Sequence, residues 1–318
     1  MIKKILKFTL IFLSMNFQIY AGTEHFLEPG GVEYYYEGVN FDSPNLNRAN
    51  HPFIDGETHV TKLKNGKVVY KVTYTINKDE IRISKASGKK GKSKHVFIVD
   101  GSVAFGEGLN DDETITHHLN EKSKIFEAYE IGFLGHGLQH NWIRFKEHKL
   151  HKIIPYQTGA AVFILSGQDV RRLVGTLDHL TYASEFPHIA EVSEGIFENK
   201  GTFANSGSFI QRMAIKYCLP RDFCKNWMKM MGGDPTEEEL EATARFFNSL
   251  VRLYRDEFKA ESVVVIWTGT PDRAQIFQKY TNIRVIHFDS YDRYPDQHPT
   301  AKGASQIADM LLKENIVY

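Results

Sequence analysis

Val96-Phe97-Ile98-Val99-Asp100-Gly101-Ser102-Val103-Ala104-Phe105-Gly106-Glu107-Gly108 decides how the chain folds. Four consecutive apolar residues, continued upstream by His95, are too uniformly apolar for a strand with one wet face, so they read as a central strand covered on both sides. The strand runs straight into small residues and one serine. In an open α/β sheet that junction lies at the carboxyl edge, where ligands bind. Working outward, Ile125 to Ile131, Ala160 to Leu165, Val263 to Trp267 and Ile283 to Phe288 are further candidate strands. Helices are expected at about 114 to 121, 138 to 149, 236 to 258 and 301 to 314. The 236 helix is the clearest. Leu240, Ala244, Phe247, Val251, Tyr254 and Phe258 recur at three- and four-residue steps, and Thr236 with Glu239 forms a capping box. The alternation predicts an α/β sandwich with right-handed crossovers and a mainly parallel central sheet.

Upstream, residues 22–94 are rich in tyrosine and alternating patterns and read as a small β-rich N-terminal extension. Lys67 to Ile76 is mostly β-branched and aromatic, with Asn65-Gly66 supplying a turn before it. Tyr34, Tyr35 and Tyr36 read as a strand with one face buried; a sugar-stacking face is the rival. Gly88 to Lys94 reads as a solvated basic linker. Residues 176–235 break the rhythm and read as an insertion that caps the sheet and shapes a substrate pocket.

Residues 1–21 have the plan of a secretory signal peptide: Lys3, Lys4 and Lys7, an apolar stretch from Phe8 to Met15, and a small residue at Ala21. Export to the periplasm or beyond is the expectation, with no membrane span in the mature chain because no later segment approaches about 20 apolar residues. Cys218 and Cys224 are the only cysteines in the 318 residues. An oxidising compartment permits a bond between them, although two buried thiols fit the spacing as well. The 39 basic and 39 acidic side chains balance, and loss of the first three lysines leaves a slight acidic excess. Such a chain has no electrostatic footprint for nucleic acid.

Three further segments complete the pattern: Tyr129-Glu130-Ile131-Gly132-Phe133-Leu134-Gly135-His136-Gly137, Ser166-Gly167-Gln168-Asp169-Val170-Arg171, and Tyr294-Pro295-Asp296-Gln297-His298-Pro299 before the last amphipathic helix. With Phe105-Gly106-Glu107-Gly108 and Asp112-Glu113-Thr114, the four blocks resemble, in order, the SGNH (GDSL-like) serine hydrolases, in particular an exported bacterial branch. The resemblance covers about residues 95–318, the insertion excepted. It implies a three-layer α/β/α sandwich of flavodoxin-like type. It also implies an esterase or acyl-transfer activity through a Ser-His-Asp mechanism without cofactor or metal. Ser102 falls on the nucleophile, His298 on the general base and Asp296 on its orienter, with Asp292 in reserve. The backbone N–H groups of Ser102 and Gly135 and the Gln168 amide fall on the oxyanion donors.

The roles have a chemical basis. A serine hydroxyl needs an imidazole to take its proton, and a carboxylate fixes the tautomer of that imidazole. Two departures stand out. The chain has Asp100-Gly101-Ser102 where the family has Gly-Asp-Ser, and Gln168 where the family has asparagine. The expected partner is an acyl ester, an acetylated polysaccharide or a lipid. Asp169 and Arg171 are expected to form local pairs, with an anionic substrate group as the alternative for Arg171. His136 and His140 have an i, i+4 spacing suited to metal, but no third ligand or intervening glutamate accompanies them. The second reading is a catalytically weak or inactive envelope protein that keeps this fold and binds glycan; labelling of Ser102 by a fluorophosphonate discriminates the two.

Overall fold

The computed structural model describes residues 23–28, 32–37, 55–88, 91–147 and 150–315. The signal-like residues 1–21 therefore lie outside the described residues, as do 89–90 within the basic linker. Of that linker, Lys92 is buried and donates to Asn120 Oδ1 (2.8 Å), so this lysine belongs to the packed structure.

Two sheets dominate. The first is antiparallel, in the order β1 (Thr23–Glu28), β2 (Val32–Glu37), β3 (Gly56–Lys64), β4 (Lys67–Ile76). The β3–β4 connection turns at Asn65 and Gly66, both with positive φ, which matches the right-handed strand twist. The second sheet is parallel throughout. Its strands are β5 (Lys94–Asp100), β6 (Phe126–Gly132), β7 (Thr158–Leu165), β10 (Lys259–Trp267) and β11 (Arg284–His287), in the spatial order β11-β10-β7-β5-β6. Numbered within the sheet, that order is 2-1-3-4-5, so the winding reverses between β5 and β7. Crevices at such a reversal are where open α/β sheets bind ligands.

Alternate residues of the central strands face opposite layers. Phe97, Val99, Phe163, Leu165, Val265 and Trp267 belong to one core, with Leu138, Trp142, Leu240 and Phe247 from helices packed on that face. Val96, Ile98, Val162, Ile164 and Ile266 belong to the other, with Ile115, Leu119, Ile307 and Leu311. The helices concerned are α2 (Ile115–Lys122) and α12 (Ala301–Lys313) on the second face, and α3 (Leu138–Lys146) and α10 (Glu237–Glu257) on the first. The strands are thus apolar on both sides because both sides are covered. The capping box of Thr236 with Glu239 opens α10 as the sequence predicts, and all six periodic residues of that helix region are buried.

The N-terminal sheet is joined to this core. Tyr34, Tyr70, Val72 and Tyr74 cluster with Phe105 and Phe133, which lie just beyond the carboxyl ends of β5 and β6. Tyr34 is buried in that cluster and is therefore not a sugar-stacking platform. The insertion is more ordered than its lack of period implied. It holds α6 (Leu180–Ala183), the hairpin β8 (Pro187–Ser193) with β9 (Ile196–Thr202), α7 (Phe203–Ser206), α8 (Phe209–Tyr217) and α9 (Asp222–Met230). Cys218 and Cys224 are disulfide-bonded across the α8–α9 connection. No helix among the described residues is long and apolar enough to cross a membrane.

Candidate active site

Because the strands of the central sheet are parallel, all their carboxyl ends share one edge. The segments singled out in the sequence meet there. Ser102 opens the short helix α1 (Ser102–Phe105) directly after β5, and His298 lies in the loop between β11 and α12. The Ser102 hydroxyl lies 2.7 Å from His298 Nε2, across 196 residues of sequence. Asp296 Oδ1 is 3.2 Å from His298 Nδ1, a close contact that is not aligned as a hydrogen bond, and it also accepts the His298 backbone N–H at 3.3 Å. Asp292 is occupied elsewhere: its carboxylate accepts from Thr300, the N-cap of α12. Of these two aspartates, Asp296 is the one that reaches the imidazole.

Two residues without an assigned role complete the group. Lys62 Nζ lies 2.6 Å from Asp296 Oδ2 and 3.0 Å from Glu107 Oε1, over the rings of Tyr34 and Tyr70. Glu107 Oε2 in turn lies 3.3 Å from His298 Nε2, and Glu107 Oε1 accepts from the Tyr70 hydroxyl (3.1 Å) and the Tyr34 hydroxyl (3.3 Å). His298 is thus flanked by one carboxylate at each ring nitrogen, and Lys62 bridges the two. Burial disfavours the imidazolium, but Glu107 and then Asp296 outweigh it, so the His298 pKa is raised. Burial would raise the Asp296 carboxyl, yet His298 and Lys62 hold it well below the usual carboxylate range. Glu107 behaves alike: burial opposes its charge, and His298 and Lys62 overcome it.

Glu107 stood inside the quoted motif, but nothing in a linear sequence aims it at His298. Lys62 had a fainter signal. Thr58, Val60 and Lys62 are the buried alternate residues of β3, so a lysine stands in the inward register of a strand.

The elbow at Ser102 is held by close backbone packing. A Cβ on Gly101 would lie 2.7 Å from the His136 carbonyl, and one on Gly132 would lie 2.3 Å from the Asp100 carbonyl. The reversed Asp-Gly order follows: Gly101 is required for approach, and Asp100 bears a φ of 150°, a conformation suited to glycine. The strain and burial coincide. Burial, with the Asp169 carboxylate beside it, pushes the Asp100 carboxyl well above its ordinary range, and among the described residues its Oδ1 has no hydrogen-bond partner. Asp100→Gly is therefore expected to stabilise the protein by about 1 kcal/mol, since strain of this kind costs about 1–3 kcal/mol and glycine returns part of it in entropy. A urea midpoint below wild type would count against that account. Gly132→Ala should act in the opposite direction, at a cost of about 1–3 kcal/mol, because only backbone can yield to its methyl group. It should also lower turnover by displacing the Ser102 elbow, whereas Asp100→Gly should leave kcat near wild type.

Further clamps fix the segment after Ser102. Buried Arg82 donates to the carbonyls of Phe105 (2.7 Å), Gly106 (2.9 Å) and Leu109 (2.6 Å) and to Asp111 (3.0 Å). Arg172 bonds the His136 carbonyl (2.5 Å) and Asp169 (3.2 Å). Arg171 pairs with Asp178, so its guanidinium is already engaged rather than open to a substrate anion, and Asp169 caps α5 (Gly167–Val174) through Ser166.

The proposed oxyanion donors are placed unequally. The N–H of Ser102 begins α1, where helix geometry supplies no partner, and Gly135 sits exposed in the loop after β6 with a φ of 73°. Neither N–H meets a protein acceptor among the described residues. Gln168 is exposed at the start of α5, and its side chain makes no hydrogen bond within the described residues. Nothing in its contacts ties that amide to Ser102.

Metal ligation meets a specific obstacle. Glu107, Asp296 and His298 have ligand atoms within 4.8 Å of one another, but the Lys62 ammonium already bonds both carboxylates. His136 and His140 stack at 4.3 Å between ring centroids, and the Gly137 N–H bonds His140 Nδ1. They form no three-residue cluster of metal-binding side chains among the described residues. No family model and no curated protein matches the chain.

Proposed function

We propose that the protein is an exported serine ester hydrolase of the SGNH type, acting through a Ser102 acyl-enzyme. The observation that carries this reading is the 2.7 Å contact between Ser102 Oγ and His298 Nε2 at the carboxyl edge of the sheet. It is the geometry a serine needs in order to lose its proton as it attacks. In the first step Oγ bonds to the acyl carbon and its proton passes to Nε2. The carbonyl oxygen becomes an oxyanion, for which the free N–H groups of Ser102 and Gly135 are the donors at hand. His298 then returns the proton to the leaving alcohol, and an ester on Ser102 remains. Water, or a sugar hydroxyl in acyl transfer, attacks that ester by the same sequence in reverse.

The two carboxylates serve the charged intermediate. With His298 protonated, Glu107, Asp296, Lys62 and His298 sum to zero; with His298 neutral they leave one uncompensated negative charge. The site therefore favours taking the serine proton. The Cys218–Cys224 bond accords with an oxidising compartment. For an exported enzyme, the substrate class we infer is the O-acylated glycan of the cell envelope. A fluorophosphonate probe followed by peptide mapping should label Ser102. p-Nitrophenyl acetate should be hydrolysed, and an intact protein that does neither is not an esterase. An exposed and uncommitted Gln168 predicts a modest rate: loss of one oxyanion donor costs about 3–4 kcal/mol of barrier. Gln168→Ala should then change kcat less than threefold.

A further inference from the structure

The insertion carries a surface that the ester chemistry does not use. Among the described residues, eight of the fourteen exposed large hydrophobic side chains fall between 209 and 231. In α8 they are Phe209 (69% exposed), Ile210 (68%), Met213 and Tyr217; around α9 they are Phe223 (87%), Trp227, Met230 (82%) and Met231. Their spacings of three and four residues place each set along one helical face. The inward faces are accounted for separately. Ala214, Ile215, Cys218 and Leu219 pack on Leu180, Ala183 and Phe203, and Met228 is the one buried residue of α9. The disulfide then ties the two helices together. Each helix thus carries apolar side chains on two sides, only one of which has a partner among the described residues.

Charge identifies the occupant. Arg212, Lys216, Arg221, Lys225 and Lys229 face a single acidic residue, Asp222, between 209 and 231, a formal excess of +4 in a chain whose total is zero. Arg212, Lys216, Lys225 and Lys229 enter no salt bridge among the described residues. Exposed Phe, Trp and Met beside unpaired Lys and Arg on short helices is the composition that lies in a bilayer interface, rings among the acyl chains and ammonium groups at anionic headgroups. A protein partner of acidic surface would use the charges but would leave the most exposed tips, Phe223 and Met230, without a comparable depth of apolar medium. We propose that the α8–α9 hairpin docks the protein on an anionic lipid surface.

The hairpin is positioned to matter for the site. The segment after α9 reaches the start of α5, since a Cβ on Gly167 would lie 3.0 Å from Pro235. The first helix of the hairpin is tied to the end of α5, where the Gln211 side-chain amide donates to the carbonyls of Val174 (3.0 Å) and Gly175 (2.9 Å). Docking would thus hold α5, the helix that follows β7, close to the membrane. Lipid binding itself is independent of the serine chemistry, so Ser102→Ala should bind as wild type does.

The test uses the full chain, so that residues 1–21 are common to every sample. Vesicles of phosphatidylcholine are compared with vesicles of phosphatidylcholine and phosphatidylglycerol at 7:3. Trp142 and Trp267 are buried and Trp227 is about half exposed, so a lipid-induced blue shift reports Trp227. We expect a blue shift and co-sedimentation with the anionic vesicles, at least tenfold tighter than with the neutral ones. Lys216→Gln/Lys225→Gln/Lys229→Gln should weaken it by roughly a hundredfold, at about fivefold per cation. Phe223→Ser/Met230→Ser should weaken it by at least tenfold. Both variants should keep wild-type hydrolysis of p-nitrophenyl acetate, which shows that they fold. Equal binding by wild type and variants, no shift of Trp227, or a stable dimer in which these substitutions release monomer without affecting lipid would each overturn the proposal.

Discussion

Ser102→Ala is expected to lower kcat/KM for short acyl esters by roughly 10⁴–10⁶-fold while the fold and its melting temperature stay near wild type. The side chain is half-buried and contributes one hydrogen bond, to His298, so its loss leaves no packed cavity. His298→Ala should cost about as much as Ser102→Ala, and the double variant little more than either. A nucleophile and its base act as one unit, so their effects do not add. Titration of all three with p-nitrophenyl acetate and with the fluorophosphonate probe checks this. If His298→Ala keeps near-wild-type turnover, the proton goes elsewhere and the assigned pair is wrong. If wild type itself is silent toward a panel of acylated sugars and short esters, the glycan-binding reading takes over.

Asp296→Asn should be milder than either. The contact with Nδ1 is oblique, and Glu107 remains at 3.3 Å to offset the imidazolium charge. A loss nearer 10²-fold than 10⁴-fold would agree with two carboxylates that share the work. A loss equal to that of His298→Ala would instead make Asp296 the sole orienter.

The sheet was legible because its strands are buried on both faces. Val96 to Val99 and Ala161 to Leu165 have no polar alternation to confuse with a surface strand, and their edges fall where the small residues begin. α10 was legible from its capping box and 3.6-residue period. The elements that escaped are short or held by tertiary contact: α5 carries its apolar Val170 and Leu173 among charges, and the β8–β9 hairpin has a mostly exposed pattern of side chains. At the site, Ser102, Asp296 and His298 stood in quotable motifs. Lys62 did not, since a single lysine in a strand looks like an exposed one until its inward register is combined with the position of a distant loop. The tyrosines of the N-terminal sheet were likewise readable as a strand but not as donors to Glu107. That sheet appeared as an extension because the contacts that join it to the site are separated by more than 200 residues in the case of Lys62 and Asp296.

Lys62 and Glu107 supply the remaining large effect. Lys62→Met keeps the volume of the stem but leaves Glu107 buried without its cation. Breaking one side of a buried pair costs about 3–5 kcal/mol, so a clear fall in the denaturation midpoint is expected. Lys62→Met/Glu107→Gln should recover much of that loss, because no uncompensated charge is left. A double-mutant cycle with Glu107→Gln isolates the coupling. The pH dependence separates this charge role from packing alone. His298 acts as a base only when neutral, so kcat/KM rises with pH through its pKa, which lies above the ordinary 6.5. Glu107 is the largest influence raising that pKa, so Glu107→Gln should move the acidic limb to lower pH. Lys62 lowers it, so Lys62→Met should move the limb to higher pH. Two neighbours in contact with each other are thus expected to shift one limb in opposite directions, which loosened packing does not produce. If both limbs stayed where wild type has its own, neither residue would be acting on His298 through charge, and the buried network would have only a structural part in the site.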